Sequence, residues 1–291
     1  MAVTEVYLRG QGAKLPGQLR IRSQMFKKVR GNTIMAALPL IVTALVLLAP
    51  LLAPHSPYTV AGPAFTPPGH GGFLLGSDSV GRDELSRVLY GMRASWLSAL
   101  AVIASGLVVG VTIGTVAAVA GGWVDSLLMR FTDLFLSLPG PVLAIAVVAA
   151  LGPSLLHTLI GVAIVWWPFY ARIVRGEIRS LSARPHLEAA KMSGIGVMRR
   201  TLRHLLPGTF PALVVAASLD IGNLVLTLAG LSFLGLGSPA PSPELGAMSA
   251  RNLTFLLQDY WTAVMPGIGI LILALVGNIS GDGLRGLMKD R

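Results

Sequence analysis

Residues Glu188–Pro207 read EAAKMSGIGVMRRTLRHLLP, a polar and basic segment of twenty residues between two long apolar runs. It starts three residues after Pro185, and proline suits the first turn of a helix because its missing N–H would have no partner there. Gly194 and Gly196 mark a break, since glycine turns a chain where a β-carbon would be strained. The spacing therefore predicts two short helices, and Pro207 opens the next apolar run. Within the first helix Leu187, Ala190 and Gly194 fall at i, i+3 and i+7, an apolar edge suited to a partner's groove.

The flanking runs set the class of protein. Hydrophobic residues make up 53% of the 291-residue chain and charged residues 12%, and the mean hydropathy is +0.71. This is the composition of an all-α integral membrane protein. At about twenty apolar residues per crossing, the length holds roughly five to seven spans and leaves little room for a soluble enzyme domain. The net charge of +10 would suggest nucleic acid in a soluble protein. Here the basic residues gather in particular loops, so membrane lipid is the expected partner and nucleic acid is not. The chain has no cysteine, which excludes thiol catalysis, thiolate metal sites and disulfides.

Six spans follow from the apolar runs. Residues 1–32 form a basic arm, and the run Thr33–Ala53 is too long for a signal-peptide core, so it reads as the first crossing. His55–Pro68 is proline-rich and reads as a surface loop. In Leu74–Trp96 the apolar residues Leu85, Val88, Leu89 and Met92 share one helical face. This predicts an amphipathic helix on the outer membrane surface, capped by Asp78 or Ser79. The second span runs from about Ala94 to Ala120, with Gly106, Gly110 and Gly114 making a close-packing face. The third covers Ser126–Leu151 and is broken at Pro139-Gly140-Pro141, a kink that either walls a pathway or serves packing. The fourth, Ser154–Tyr170, ends in Trp166, Trp167, Phe169 and Tyr170, an aromatic cluster of the kind found at membrane interfaces. A basic loop follows at once. The fifth, from Gly208 to about Gly230, carries Asp220 and Asn223. A carboxylate in a span is costly and faces a cavity or a partner, so Asp220 touches either the transport route or a subunit interface. After an outside or re-entrant stretch, Gly230–Asn252, the last span covers about Trp261–Ser280. With both termini inside, the inner segments hold nineteen basic residues and the outer ones only Arg82, Arg87, Arg93 and Arg251, as the positive-inside rule demands. The units are thus an arm (1–32), a first span with its outer loop (33–93), a five-helix core (94–283) and a tail (284–291).

Familiar catalytic signatures are absent. None of the five lysines follows a glycine, so the phosphate-binding G-x-x-x-x-G-K-[ST] does not occur, nor do H-E-x-x-H or G-x-S-x-G. The five histidines are scattered, and His204 reads as a residue shaping the end of the basic segment.

Glu188-Ala189-Ala190, three residues, Gly194, nine residues, then His204-Leu205-Leu206-Pro207 resemble the EAA loop of permease subunits of ABC importers. Four further blocks, Leu74–Asp78 with Gly81–Arg87, Gly230–Gly237, Pro243–Gly246 and Gly281–Arg285, resemble the oligopeptide and dipeptide branch of that family, its C-type subunit in particular. The likeness spans Leu74–Arg285. It implies a type I importer permease architecture with a cytoplasmic coupling helix, within residues 185–207, between spans 4 and 5. Glu188, Ala189, Ala190, Gly194, His204 and Pro207 would engage the ATPase, while Asp220, Asn223 and Pro139 are the candidates for the translocation pathway. The resemblance further implies a second homologous permease, two ABC ATPase subunits, an extracytoplasmic peptide-binding protein and a peptide substrate, in a bacterial cytoplasmic membrane. No cofactor is expected on this chain, with ATP and magnesium held by the ATPases. Nickel permeases share these words, and a proton-coupled transporter using Asp220 is the rival from another class; it calls for relay acids and an internal repeat.

Overall fold

The computed structural model describes residues 16–289. Residues 1–15 of the expected arm and residues 290–291 of the tail lie outside the described residues. Helix α1 (Pro16–Leu47) is followed by the single turn α2 (Ala49–Leu52), then α3 (Glu84–Ala120), α4 (Gly122–Ser137), α5 (Gly140–Leu151) and α6 (Leu155–Ser182). The short α7 (Pro185–Met192) and α8 (Val197–Arg200) lead through a wide π-type turn, Thr201–Leu205, into α9 (Leu206–Phe233). The small α10 (Leu245–Arg251) and the long α11 (Trp261–Lys289) complete the chain. Among the described residues there is no strand, only two isolated bridges, His70 with Phe73 and Ser77 with Asp83.

Four stretches are long and apolar enough to cross a membrane: Glu84–Ala120, Leu155–Ser182, Val197–Phe233 and Trp261–Met288. Helices α4 and α5 form a fifth, bent by 85°. The bend falls at Leu138-Pro139, where the chain is extended before Gly140 and Pro141 begin α5, as the proline pair demands. The apolar part of α1, Gly31–Leu47, is shorter. Against six expected crossings the described residues therefore give four, or five with the bent pair counted as one span, and the remaining expected crossing coincides with the shorter apolar part of α1.

Two expected boundaries move. The outer amphipathic helix and the second span are one 37-residue helix, α3, about 55 Å long. Its cap is Asp83, which accepts from the Ser86 amide at 3.0 Å, and not Asp78 or Ser79. Asp78 is occupied elsewhere, accepting from the amides of Val80 and Arg82 at 2.9 Å each. Likewise α6 does not stop at Tyr170 but continues to Ser182. Its extension carries Arg172, Arg175 and Arg179 in pairs with acids of α4, so these arginines belong to a helix and not to a loop.

Small residues set the packing. A β-carbon on Gly110 would lie 2.6 Å from Cβ of Tyr170 and 2.8 Å from the Trp167 carbonyl, so the α3 glycine row brings its backbone against α6 as expected. Gly222 and Gly277 do the same for α9 and α11, and Gly283 seats α11 on Met35 and Ala36 of α1. Trp96, fully buried, donates from Nε1 to Thr43 Oγ1 at 2.9 Å and ties α3 to α1.

His55–Pro68, expected as a surface loop, and most of Gly230–Asn252, expected as an outside loop or re-entrant stretch, fall within the stretches 53–83 and 234–260, which together form a dense lobe. Arg87, 3% exposed, donates from Nη1 to the carbonyl of Pro57 at 2.8 Å and of Pro241 at 3.3 Å, while its Nε lies 3.4 Å from Asp78 Oδ2. Trp261 Nε1 donates to the Ser77 carbonyl at 3.2 Å. Glu244 caps α10 through the Ala247 amide at 2.9 Å. Burial pushes its carboxyl up, against the pull of the amides and Ser232.

Candidate functional site

The EAAKMSG segment folds as two short helices joined by a glycine turn. Pro185 sits in the first turn of α7 after an extended Arg184. At the far end Gly194 adopts φ +76°, its amide bonds the Lys191 carbonyl at 3.1 Å, and the Ile195 amide bonds the Ala190 carbonyl at 3.2 Å. This nested pair closes the helix as a Schellman motif, which requires a left-handed residue at the Gly194 position. Gly196 precedes α8, and the π-type turn feeds α9 without a break. Pro207 lies in the first turn of α9, where the change in hydrogen-bond register upstream absorbs its missing donor.

Which face of this segment looks outward differs from expectation. Leu187 is 3% exposed and Leu205 is 4% exposed; both enter the central apolar cluster. Leu187 therefore pins α7 to this chain and does not offer itself to a partner. Glu188, Ala189, Gly194, His204 and Pro207 are exposed and Ala190 is half-buried. The apolar groups that do face out are Met192, at 88% exposure, Met198, at 72%, Val197 and Leu202. Sequence reading missed them because no helical repeat runs through a segment broken by a turn. Their one signal was being apolar in a basic stretch.

Behind this segment stands a row of ion pairs. Arg175 Nη2 donates to Asp125 Oδ2 at 2.7 Å, and Arg179 donates to the same oxygen. Arg172 Nη2 meets Asp133 Oδ1 at 2.6 Å. Asp125 is 6% exposed in its side chain, so α4 is tied to the end of α6 that carries α7.

Asp220 and Asn223 lie one turn apart on α9. Trp166 Nε1 and, at 2.8 Å, Tyr170 Oη both donate to Asp220 Oδ2. Phe169, Asp220, Asn223 and Arg285 share a groove of about 410 Å³ with the small residues of α9. The aromatic cluster is thus not an interfacial belt: Trp166 and Tyr170 turn inward as donors, and Trp167 stacks on Phe131. Buried Trp and Tyr do need such partners, but nothing in their local spacing names an acid fifty residues on. Pro139 is exposed at the bend and is not a wall of this groove, so the structure brings Asp220 and Asn223 together without it. Of the other acids on the long helices, Asp125 and Asp133 are ion-paired with arginine, and none of them, nor Glu84, Glu177 or Asp282, lines the groove at Asp220. No group of three metal-ligating side chains occurs among the described residues.

Comparison with known proteins agrees with this architecture. Residues 110–291 match the family described as binding-protein-dependent transport system inner membrane component. The probable D,D-dipeptide transport system permease protein DdpC of Escherichia coli (strain K12) is 38% identical, over 88% of this chain and 86% of its own. The dipeptide transport system permease protein DppC of Haemophilus influenzae is 35% identical, over 91% of this chain and 92% of its own. The di/tripeptide permease DppC of Pseudomonas aeruginosa is 35% identical, over 87% of this chain and 85% of its own. Among solved structures, a chain of the inward-facing MetNI methionine ABC transporter superposes with a TM-score of 0.57 at 20% identity, over 69% of this chain and 95% of that one; this likeness concerns the fold alone.

Proposed function

This chain belongs to the family of binding-protein-dependent transport system inner membrane components, and on that premise we propose that it moves short peptides inward across the cytoplasmic membrane. It is a permease subunit. In this reading it works beside a second, homologous permease, two ABC ATPase subunits that hold ATP and magnesium, and an extracytoplasmic peptide-binding protein. Both termini and the basic segment face the cytoplasm, in accord with the nineteen-to-four charge bias.

The observation that carries the coupling role is the mounting of α7. Its outer side, with Glu188, Ala189 and Met192, is open, while Leu187 and Leu205 clamp it to the core. Exposed methionines suit a docking surface because their flexible, polarizable side chains fit a partner's cleft. Glu188, in the first turn, adds a charge that the helix terminus favours. Helix α6 runs into α7 almost directly, α9 leaves the segment unbroken, and α4 is tied to α6 through Asp125. Movement of docked ATPases therefore reaches three helices at once and biases the chain between inward-open and outward-open states. Gly194 sets the angle of the hairpin, His204 and Pro207 shape its exit into α9, and Asp220 with Asn223 faces the peptide's route.

The test is to purify the tagged chain with its neighbouring subunits, with and without Glu188→Ala plus Gly194→Trp. Recovery of an ATPase and a second permease, with only the ATPase lost in the variant, is the expected result. Recovery of the chain alone, still transporting peptide in liposomes without ATP, would overturn the reading.

A further inference from the structure

Asp220 is a buried acid with no ion-pair partner among the described residues. It lies near the centre of the fifth apolar run, twelve residues past Gly208 and ten before Gly230, within an apolar layer about 30 Å thick. The groups facing its carboxylate, Trp166, Tyr170 and Asn223, are all neutral. Among the described residues neither Asp220 nor Arg285 takes part in an ion pair, yet both line the groove of about 410 Å³. A charge held at such depth faces a cavity or an opposite charge brought to it.

Helix register gives the axial offset of the two residues that carry these charges. Gly222 packs on Ala274 and Asn278, and Gly281 on Leu219, so α11 runs antiparallel to α9. One further turn sets Arg285 beside Val215, five residues before Asp220, or about 7.5 Å of axial rise. An extended dipeptide reaches about 7 Å from end to end at 3.3–3.6 Å per residue.

We propose that this groove is a binding site for a free, zwitterionic short peptide, with Asp220 receiving its ammonium group and Arg285 its carboxylate. The inference rests on the peptide-permease reading and deepens it. Trp166 and Tyr170 are positioning residues: both donate to Oδ2 and so hold the carboxylate in one orientation. Arg285 offers the paired donors that suit a carboxylate. Ala212, Val215 and Ala216 form a low apolar wall, so the site reads the ends of a peptide and tolerates variety between them.

Binding of tritiated alanyl-alanine to the purified multi-subunit complex, without the peptide-binding protein, tests this by competition with alanyl-alanine, N-acetyl-alanyl-alanine and alanyl-alanine amide. Both blocked forms should compete roughly tenfold worse or more, the loss expected when one charge-assisted contact is removed. Asp220→Asn should erase the discrimination against the N-acetyl form alone, and Arg285→Gln that against the amide alone. Equal competition by all three, or no binding to a complex that takes up peptide with ATP, overturns the site while leaving the proposed function standing. Loss of the second permease from the Asp220→Asn complex would assign Asp220 to a subunit interface instead, and unaltered discrimination in the exposed-side variant Arg285→Gln would sink the carboxylate half. A complex with no ATP-driven peptide uptake at all would instead remove the reading on which the site depends.

Discussion

The lobe built from residues 53–83 and 234–260, rich in glycine and proline, and the segment 183–205, rich in basic residues, both lie outside the long helices, yet they are constructed in opposite ways. In the lobe the polar groups turn inward: Ser77, Asp78, Asp83 and Arg87 are all at most 3% exposed, and Arg87 alone ties together three stretches of chain. In the segment the polar groups turn outward together with Met192 and Met198, and only two leucines reach the core. The lobe pairs most of its buried charges internally, although it too exposes apolar side chains, Leu74 at 67% and Leu257 at 98%. The segment leaves apolar surface open over a well-fastened base, which is how one half of an interface looks before the other half arrives.

Substitutions can break or sharpen that contrast. Arg87→Ala removes the donor from the buried Pro57 carbonyl and from the Pro241 carbonyl, and takes from Asp78 one of its two arginine partners; it should cost about 3–4 kcal/mol, read as a large fall in the melting temperature of the purified complex, and an unchanged melting point would mean the lobe is not held as described. Gly81→Ala should cost about 3 kcal/mol, combining left-handed strain with overpacking, because Gly81 has φ +84° and its β-carbon would collide with the Gly62 carbonyl. Leu187→Ala, by emptying a buried site, should cost about 2–3 kcal/mol and speed hydrogen exchange across α7 while leaving the lobe protected. Gly194→Ala meets the same backbone strain at φ +76° but open space around it, so only about 1 kcal/mol is expected; a loss as large as that of Gly81→Ala would erase the distinction between the two regions. Met192→Glu combined with Met198→Glu should shift stability by under about 0.5 kcal/mol yet release the ATPase from pulled-down complex, and full retention of the ATPase would remove the methionines from the docking surface.

Much of the fold was legible because its signals are local. The break at Pro139, the glycine turn at Gly194, the close-packing row on α3 and the start of α7 at Pro185 each depend on what one residue type allows the backbone to do. The boundaries that moved did so for distant reasons. Helix α6 outran Tyr170 because Asp125 and Asp133, on another helix, meet its arginines. The α3 cap fell on Asp83 because Asp78 was already engaged by Arg82 and Arg87.

The same division holds for the candidate site. Composition, apolar run length and the EAA spacing determined by themselves that this chain is a helical membrane protein with a basic hairpin between its fourth and fifth spans. They also placed an acid within the fifth. Periodicity says which residues of one helix share a face, but it carries no information about what that face will meet. Only tertiary structure decided that Leu187 points into the core and Met192 away from it, that Trp166 and Tyr170 serve Asp220, and that Arg285 lies across the groove from it. Each of those pairings joins residues far apart in the chain, and their energies exist only once the helices are packed.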